Sequence, residues 1–184
     1  MTEDVPEGFA LETEFLDTCE KMALIEFAGA RPFGEVRIHG VAAKRRVAQF
    51  GWRYSFESYR LTPGPPVPFP LLDIRERAST LAKVEAIDFA EVLVTEYPPG
   101  AGIGWHRDAP HFGIVAGVSF GSGCRMRLRT GEAHSRRAVA VELPARSIYV
   151  LTGNARKEWQ HMIPPVRQLR WSLTVRAGVL AVRP

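Results

Sequence analysis

Cysteine is nearly absent: Cys19 and Cys124 are the only two in 184 residues, and they lie far apart. That scarcity excludes a disulfide framework and a zinc module built on cysteine. Both read as buried small apolar side chains. Also lacking is any apolar run near the roughly 20 residues that a bilayer-spanning helix needs, so no membrane partner is expected. The first residues, Met1-Thr2-Glu3-Asp4-Val5-Pro6, carry neither the basic nor the apolar block of a secretion signal, and a cytoplasmic location is the expectation. Lysine is scarce as well, with arginine supplying 20 of the 24 basic residues. The net charge of +4 and a pI near 9.4 favour an anionic partner without naming one.

What is present fits one domain spanning 1–184, with 46% apolar and 24% charged residues. No repeat or low-complexity tract appears. The one linker-like stretch is 61–70, where five prolines exclude helix and sheet interior and set an N-terminal part, 1–60, apart from a core at 71–184. Before it, Phe9 to Phe15 has strand character. Asp17-Thr18-Cys19-Glu20 has the spacing of a capping box opening a helix to about Ala28. After it, Pro70 to about Val84 reads as a helix with Leu71, Ile74, Ala78 and Leu81 on one face. From Phe89 the pattern turns to short strands at 89–97, 112–120, 124–129, 138–143, 147–151 and 169–176. Such strands without intervening helices imply a mainly β fold with flanking α-helices, an antiparallel sandwich or jelly roll.

In Gly104-Trp105-His106-Arg107-Asp108 an imidazole and a carboxylate stand two residues apart, so in extended chain both point to one face. His161, 53 residues beyond Asp108, is the best third ligand. Two imidazoles and one carboxylate leave the opposite side of an ion open, as in Fe(II) oxygenases and unlike closed structural zinc. His39, His111 and His134 have no comparably placed carboxylate. Near the C-terminus, Arg170-Trp171-Ser172-Leu173-Thr174-Val175-Arg176 alternates, placing Arg170, Ser172, Thr174 and Arg176 on one face. Two guanidinium forks with small residues between them suit a dicarboxylate beside an open metal. The same arginines on a solvated strand face are the plainer reading of that segment taken alone.

Together these motifs resemble the AlkB family of 2-oxoglutarate- and Fe(II)-dependent dioxygenases, over about Val41 to Arg176. The family's ligands fall on His106, Asp108 and His161, and its closing arginine-aromatic-Asn-Leu-Thr-aromatic-arginine strand falls on Arg170 to Arg176, with Ser172 for the Asn and Val175 for the second aromatic. Thr95-Glu96-Tyr97-Pro98-Pro99-Gly100 is similar to its Asn-x-Tyr-x-Pro-Gly, which implies co-substrate contact by Tyr97 and Thr95. Phe50-Gly51-Trp52-Arg53-Tyr54-Ser55 resembles its lid segment, making Trp52 and Tyr54 candidates to flank a base; a basic stretch of Lys44, Arg45, Arg46 and Arg53 beside them suits phosphate. The alternative is that Trp52 or Tyr54 lies in the core. Where base-repairing members carry an acidic residue soon after the ligand aspartate, this chain has Ala109-Pro110-His111.

The resemblance implies a double-stranded β-helix, Fe(II), 2-oxoglutarate and O2, and oxidative demethylation of N-alkylated bases with release of succinate, CO2 and formaldehyde. Arg170 and Tyr97 are expected at the co-substrate's far carboxylate and Arg176 at the near one, with Thr95 and Ser172 also in the co-substrate site. The partner is alkylated nucleic acid, single-stranded or with a flipped base, acted on by a monomer. Arg136 and Arg137 are candidates for the substrate backbone. Arg125, Arg127 and Arg129 form a basic strand face of the same kind or an ordinary solvated one. Competing readings are a protein or small-molecule hydroxylase of the same chemistry, a non-catalytic nucleic-acid-binding jelly roll, and a cupin-like metal protein.

Overall fold

The computed structural model describes residues 5–38, 40–54, 60–131 and 137–178. The chain opens with β1 (Phe9–Glu12) and α1 (Thr18–Gly29). The α1 start is fixed by the expected capping box: the Glu20 backbone N–H donates to Asp17 Oδ1 at 2.8 Å, and the Asp17 N–H to Glu20 Oε2 at 2.7 Å. Next come β2 (Gly34–Ile38), the long β3 (Val41–Tyr54), β4 (Leu61–Pro63) and α2 (Phe69–Ala82). Proline sits in the first turn of α2, where its missing N–H costs nothing, and Lys83 ends the helix in a left-handed conformation.

The rest is mostly strand: β5 (Phe89–Tyr97), β6 (Ile103–His106), β7 (Phe112–Gly121), β8 (Cys124–Thr130), β9 (Arg137–Leu143) and β10 (Ile148–Leu151). A one-turn α3 (Gly153–Lys157), β11 (Gln160–Ile163) and β12 (Arg170–Gly178) complete the chain. All pairings are antiparallel. A major sheet runs β1-β10-β7-β12-β5-β3-β2, with β4 attached to β3, and a minor sheet runs β6-β11-β8-β9. This is the expected jelly roll.

The major sheet is buried on both sides. Trp171, Leu173 and Val175 of β12, with Val92, Val94, Ala116 and Val118, pack under α1 and α2 through Leu24, Ala28, Leu71, Ile74 and Ala78. On its other face Val115, Tyr149 and Leu151 meet Met126, Leu128 and Leu143 of the minor sheet. A strand buried on both faces reads as a continuous apolar run, as in 112–120.

Within 61–70, Leu61–Pro63 pairs only with β3, at an edge, where proline is tolerated. The segments on either side share one sheet, β3 pairing with β5 from Arg46↔Glu96 to Gly51↔Glu91. One expectation needs correction. Cys19 is exposed and Cys124 only partly buried, so neither is a core residue.

Candidate metal centre and its cavity

His106 and His161 are direct cross-strand partners of β6 and β11, and Asp108 follows β6 by two residues. One ligand atom from each of the three lies within 4.8 Å of the others. The imidazole centroids are 4.2 Å apart, and His161 Nε2 stands 3.5 Å from Asp108 Oδ2. His106 Nδ1 lies 2.8 Å from the Gly104 carbonyl. A carbonyl only accepts, so Nδ1 carries the proton and Nε2 keeps its lone pair for a metal.

Charge is arranged to suit a cation. Burial pushes both imidazoles down, against the opposing pull of Asp108, and His161 reaches about 4. They are therefore neutral ligands at neutral pH. Burial alone would raise the Asp108 carboxyl, but Arg176, His161 and His106 outweigh it and hold the group well below the usual carboxylate range. Asp108 Oδ2 is buried and has no hydrogen-bond partner. An orphaned carboxylate oxygen between two neutral imidazoles is the donor set of a divalent-ion site with an open side.

That open side faces a cavity of about 390 Å³ between the two sheets. The register of the major sheet orders its floor in rows. Val47, Thr95, Ser172 and Ser119 form a row of small side chains, and Gln49, Leu93, Thr174 and Gly117 the next. Arg170 and Tyr97 pair beyond the first row, while Glu91 and Arg176 pair beyond the second. Arg170 is fully buried: Nη2 donates to Ser119 Oγ at 2.8 Å, yet Nε and Nη1 have no partner. Its guanidinium lies 5.0 Å from the Tyr97 ring centre. A buried fork with two unused donors fits a carboxylate. Arg176 differs, because Nη2 is 2.6 Å from Asp108 Oδ1 and Nη1 2.7 Å from Glu91 Oε2. The arginine expected at the near carboxylate thus grips the metal-side aspartate.

Of the other expected residues, Thr95, Tyr97 and Ser172 line the cavity. Trp52 does not; it is 44% exposed and paired across β3 and β4 with Pro63. Tyr54 ends β3, and its side chain lies outside the described residues, as do His39, His134 and Arg136. Arg137 is exposed on β9, at the outer edge of the minor sheet, with its guanidinium 5.7 Å from the Trp159 ring centre. Arg125 pairs with Glu142 on the surface, and Arg129 donates to Gln160 and covers Trp105. His111 is exposed.

Sequence reasoning missed Glu91 and Arg156 and gave Arg45 a different place. Glu91 has the parity of Leu93, Thr95 and Tyr97, a carboxylate on the inward face of an apolar strand, and that signal was readable. Arg156 donates through Nη2 to the carbonyls of Asp108 at 3.1 Å and Ala109 at 2.6 Å, fixing the backbone that presents the ligand; no spacing announces it. Arg45, taken with its basic neighbours as a phosphate contact, is 9% exposed and lines the cavity, while Arg46 pairs outward with Glu96.

Residues 16–176 match the model of the 2OG-Fe(II) oxygenase superfamily. An uncharacterised protein of Acanthamoeba polyphaga mimivirus is 30% identical over 125 residues, 66% of this chain and 59% of that protein. The tRNA (carboxymethyluridine(34)-5-O)-methyltransferase ALKBH8 of Mus musculus is 28% identical over 172 residues, 89% of this chain but 25% of its own length. The chain therefore spans only part of these relatives. Among solved structures, OsALKBH1 superposes with a TM-score of 0.70 at 15% identity, over 95% of this chain and 100% of that one. A Pseudomonas putida prolyl-4-hydroxylase does so with 0.67 at 16% identity, over 93% and 92%; both likenesses are of fold. With the family model covering nearly the whole jelly roll and relatives of the ALKBH type across most of its length, the chain belongs to the 2OG-Fe(II) oxygenase superfamily, as an AlkB-family member.

Proposed function

We propose that this chain is a 2-oxoglutarate- and Fe(II)-dependent dioxygenase that oxidatively demethylates N-alkylated bases in nucleic acid. The observation that carries the reading is one cavity holding both the orphaned Asp108 oxygen between neutral His106 and His161 and the unused Nε and Nη1 donors of buried Arg170. His106, Asp108 and His161 would hold Fe(II), which with 2-oxoglutarate and dioxygen would supply the oxidising power to hydroxylate an N-methyl carbon, 2-oxoglutarate being converted to succinate and CO2. The hydroxymethyl group then leaves nitrogen as formaldehyde.

The protein's own part is placement. Arg170, beside Tyr97 and over the small row of Thr95 and Ser172, takes the far carboxylate of the dicarboxylate. Arg176 orients Asp108, and Arg156 holds the strand end that carries it. Support for nucleic acid comes from the relatives, one named for action on tRNA and another, from Arabidopsis thaliana, as an alkylated DNA repair protein. A base must leave its stack to enter such a cavity, and single-stranded substrate lowers that cost.

The test is succinate release by Fe(II)-loaded protein, with single-stranded oligonucleotides carrying or lacking N-methylated bases and His161→Ala as blank. Stimulation by the modified strands alone supports the proposal. Equal slow turnover with every strand keeps the oxygenase and points to a protein or small-molecule substrate. No succinate above the blank sinks the reading altogether.

A further inference from the structure

Gly117 leaves a gap in the cavity floor, and a neighbouring side chain fills it. Tyr149 of β10 pairs with Gly117 of β7, which pairs in turn with Thr174 of β12. A Cβ on Gly117 would stand only 2.6 Å from the Tyr149 phenol oxygen, Oη. The ring therefore reaches across to β7 with its hydroxyl end over Gly117, in the second row of the floor, and it lines the cavity. Its body is buried among Val115, Met126 and Leu128. The hydroxyl, by contrast, bonds to no described residue, and its oxygen is open to the cavity. Buried phenols ordinarily find a hydrogen-bond partner. Burial first, then the charges of Asp108 and Tyr97, raise the proton affinity of this one, so it is an O–H donor at any working pH.

Its row decides which part of a ligand it meets. Arg170 donates to Ser119, and Gly117 lies two residues along the same strand, roughly 7 Å nearer the row of Arg176. That step is comparable to the length of a five-carbon diacid. With the far carboxylate of 2-oxoglutarate on Nε and Nη1 of Arg170, its metal-side end comes level with Tyr149. At that end Arg176 is mostly occupied: Nη2 is 2.6 Å from Asp108 and Nη1 2.7 Å from Glu91, which leaves only Nε. A carboxylate has more lone pairs than one N–H satisfies, and the open phenol supplies a second donor.

We infer that the Tyr149 hydroxyl is a co-substrate-binding group that donates to the metal-side carboxylate of the 2-oxo acid, a place first expected for Arg176. The inference rests on the co-substrate part of the reading above and is independent of its nucleic-acid part.

Tyr149→Phe deletes the oxygen and keeps the ring, so the packing against β7 and the minor sheet is retained. Equilibrium titrations of Mn(II)-loaded protein compare 2-oxoglutarate with 2-oxopentanoate, which keeps the metal-side carboxylate and keto group but lacks the far carboxylate. Both acids should weaken by the same factor, roughly tenfold, while Mn(II) affinity and the melting temperature of ligand-free protein do not fall. Unchanged affinity for both acids makes Tyr149 a packing residue alone and overturns the inference. A loss confined to 2-oxoglutarate moves the hydroxyl to the far carboxylate and overturns it equally, as does a parallel fall in Mn(II) affinity, which traces the loss to a disturbed metal centre. If metal-loaded wild type binds neither acid, the oxygenase reading itself fails and takes this inference with it.

Discussion

Arg176 Nη2 lies 2.6 Å from Asp108 Oδ1, so the carboxylate that would hold the metal is itself held by a guanidinium. The other terminal nitrogen, Nη1, is 2.7 Å from Glu91 Oε2, and Glu91 is fully buried. One arginine therefore spans two buried carboxylates, and both raise its proton affinity despite burial. Replacing it with methionine keeps the volume and strands two negative charges. The expected loss is roughly 3–5 kcal/mol of stability, the cost of breaking a buried pair. Chemical denaturation of metal-free protein measures it, and a loss within error of an ordinary surface substitution would contradict the bridge. Arg176→Lys keeps the charge but not the fork, and weaker anaerobic metal binding is expected.

Arg170 makes a separable prediction. If its unused Nε and Nη1 donors take the far carboxylate of 2-oxoglutarate, Arg170→Met weakens that ligand by roughly 10- to 100-fold, the worth of charge-assisted hydrogen bonds. The comparison ligand is 2-oxopentanoate, of equal length with a methyl group in that place. Its binding should be weak in wild type and unchanged in the variant. Equal losses for both ligands, read as thermal shifts with Mn(II), would mean that Arg170 supports the fold and not the carboxylate.

How much of this was legible follows from periodicity. The alternation in 170–176 carried two assignments at once: Trp171, Leu173 and Val175 go under the helices, and Ser172 and Thr174 line the cavity. Likewise the capping box of Asp17 and Glu20 marked a helix start because its signal is local. Strands β6 and β11, four residues each, are too short for a period to register, although they carry two of the candidate ligands. Long-range partners were hidden for a different reason. Arg156 meets Asp108 across 48 positions, and nothing in either neighbourhood encodes the other. The lid resemblance placed Trp52 by sequence likeness, whereas the strand's pleat turns that position away from the cavity and Arg45 toward it.

The buried imidazoles predict an acid-side loss of stability in metal-free protein. His161 is held at about 4 in the fold against an ordinary 6.5 for histidine, so the unfolded chain binds the extra proton between those pH values. Stability therefore rises with pH across that window and is lost as pH falls from about 6.5 toward about 4. His106, also lowered, adds in the same sense. Asp108 acts lower, its contribution being intact above 3.8 and lost as pH falls through its own depressed value. Urea midpoints in a pH series give the slope. A His161→Asn variant should flatten it between 4 and 6.5, and an unchanged slope would assign the titration elsewhere.

Gly51 tests how the cavity's outer strand is shaped. With φ at +72° it adopts a backbone that side chains disfavour, and an added Cβ would come within 2.2 Å of the Ala90 carbonyl oxygen on β5. The conformation is used: the Gly51 N–H donates to the Pro65 carbonyl at 2.7 Å, and its own carbonyl accepts from the Gly64 N–H at 2.6 Å. Through these bonds the proline-rich segment is tied to β3 at the level where β3 meets Glu91. Gly51→Ala then pays for both the left-handed backbone and the close approach, and at least about 1–3 kcal/mol of destabilisation is expected. Because β3 presents Val47 and Gln49 to the cavity, its displacement should also weaken substrate binding more than metal binding. Equal weakening of both in parallel titrations would mean that the strand moves as one body with the metal centre.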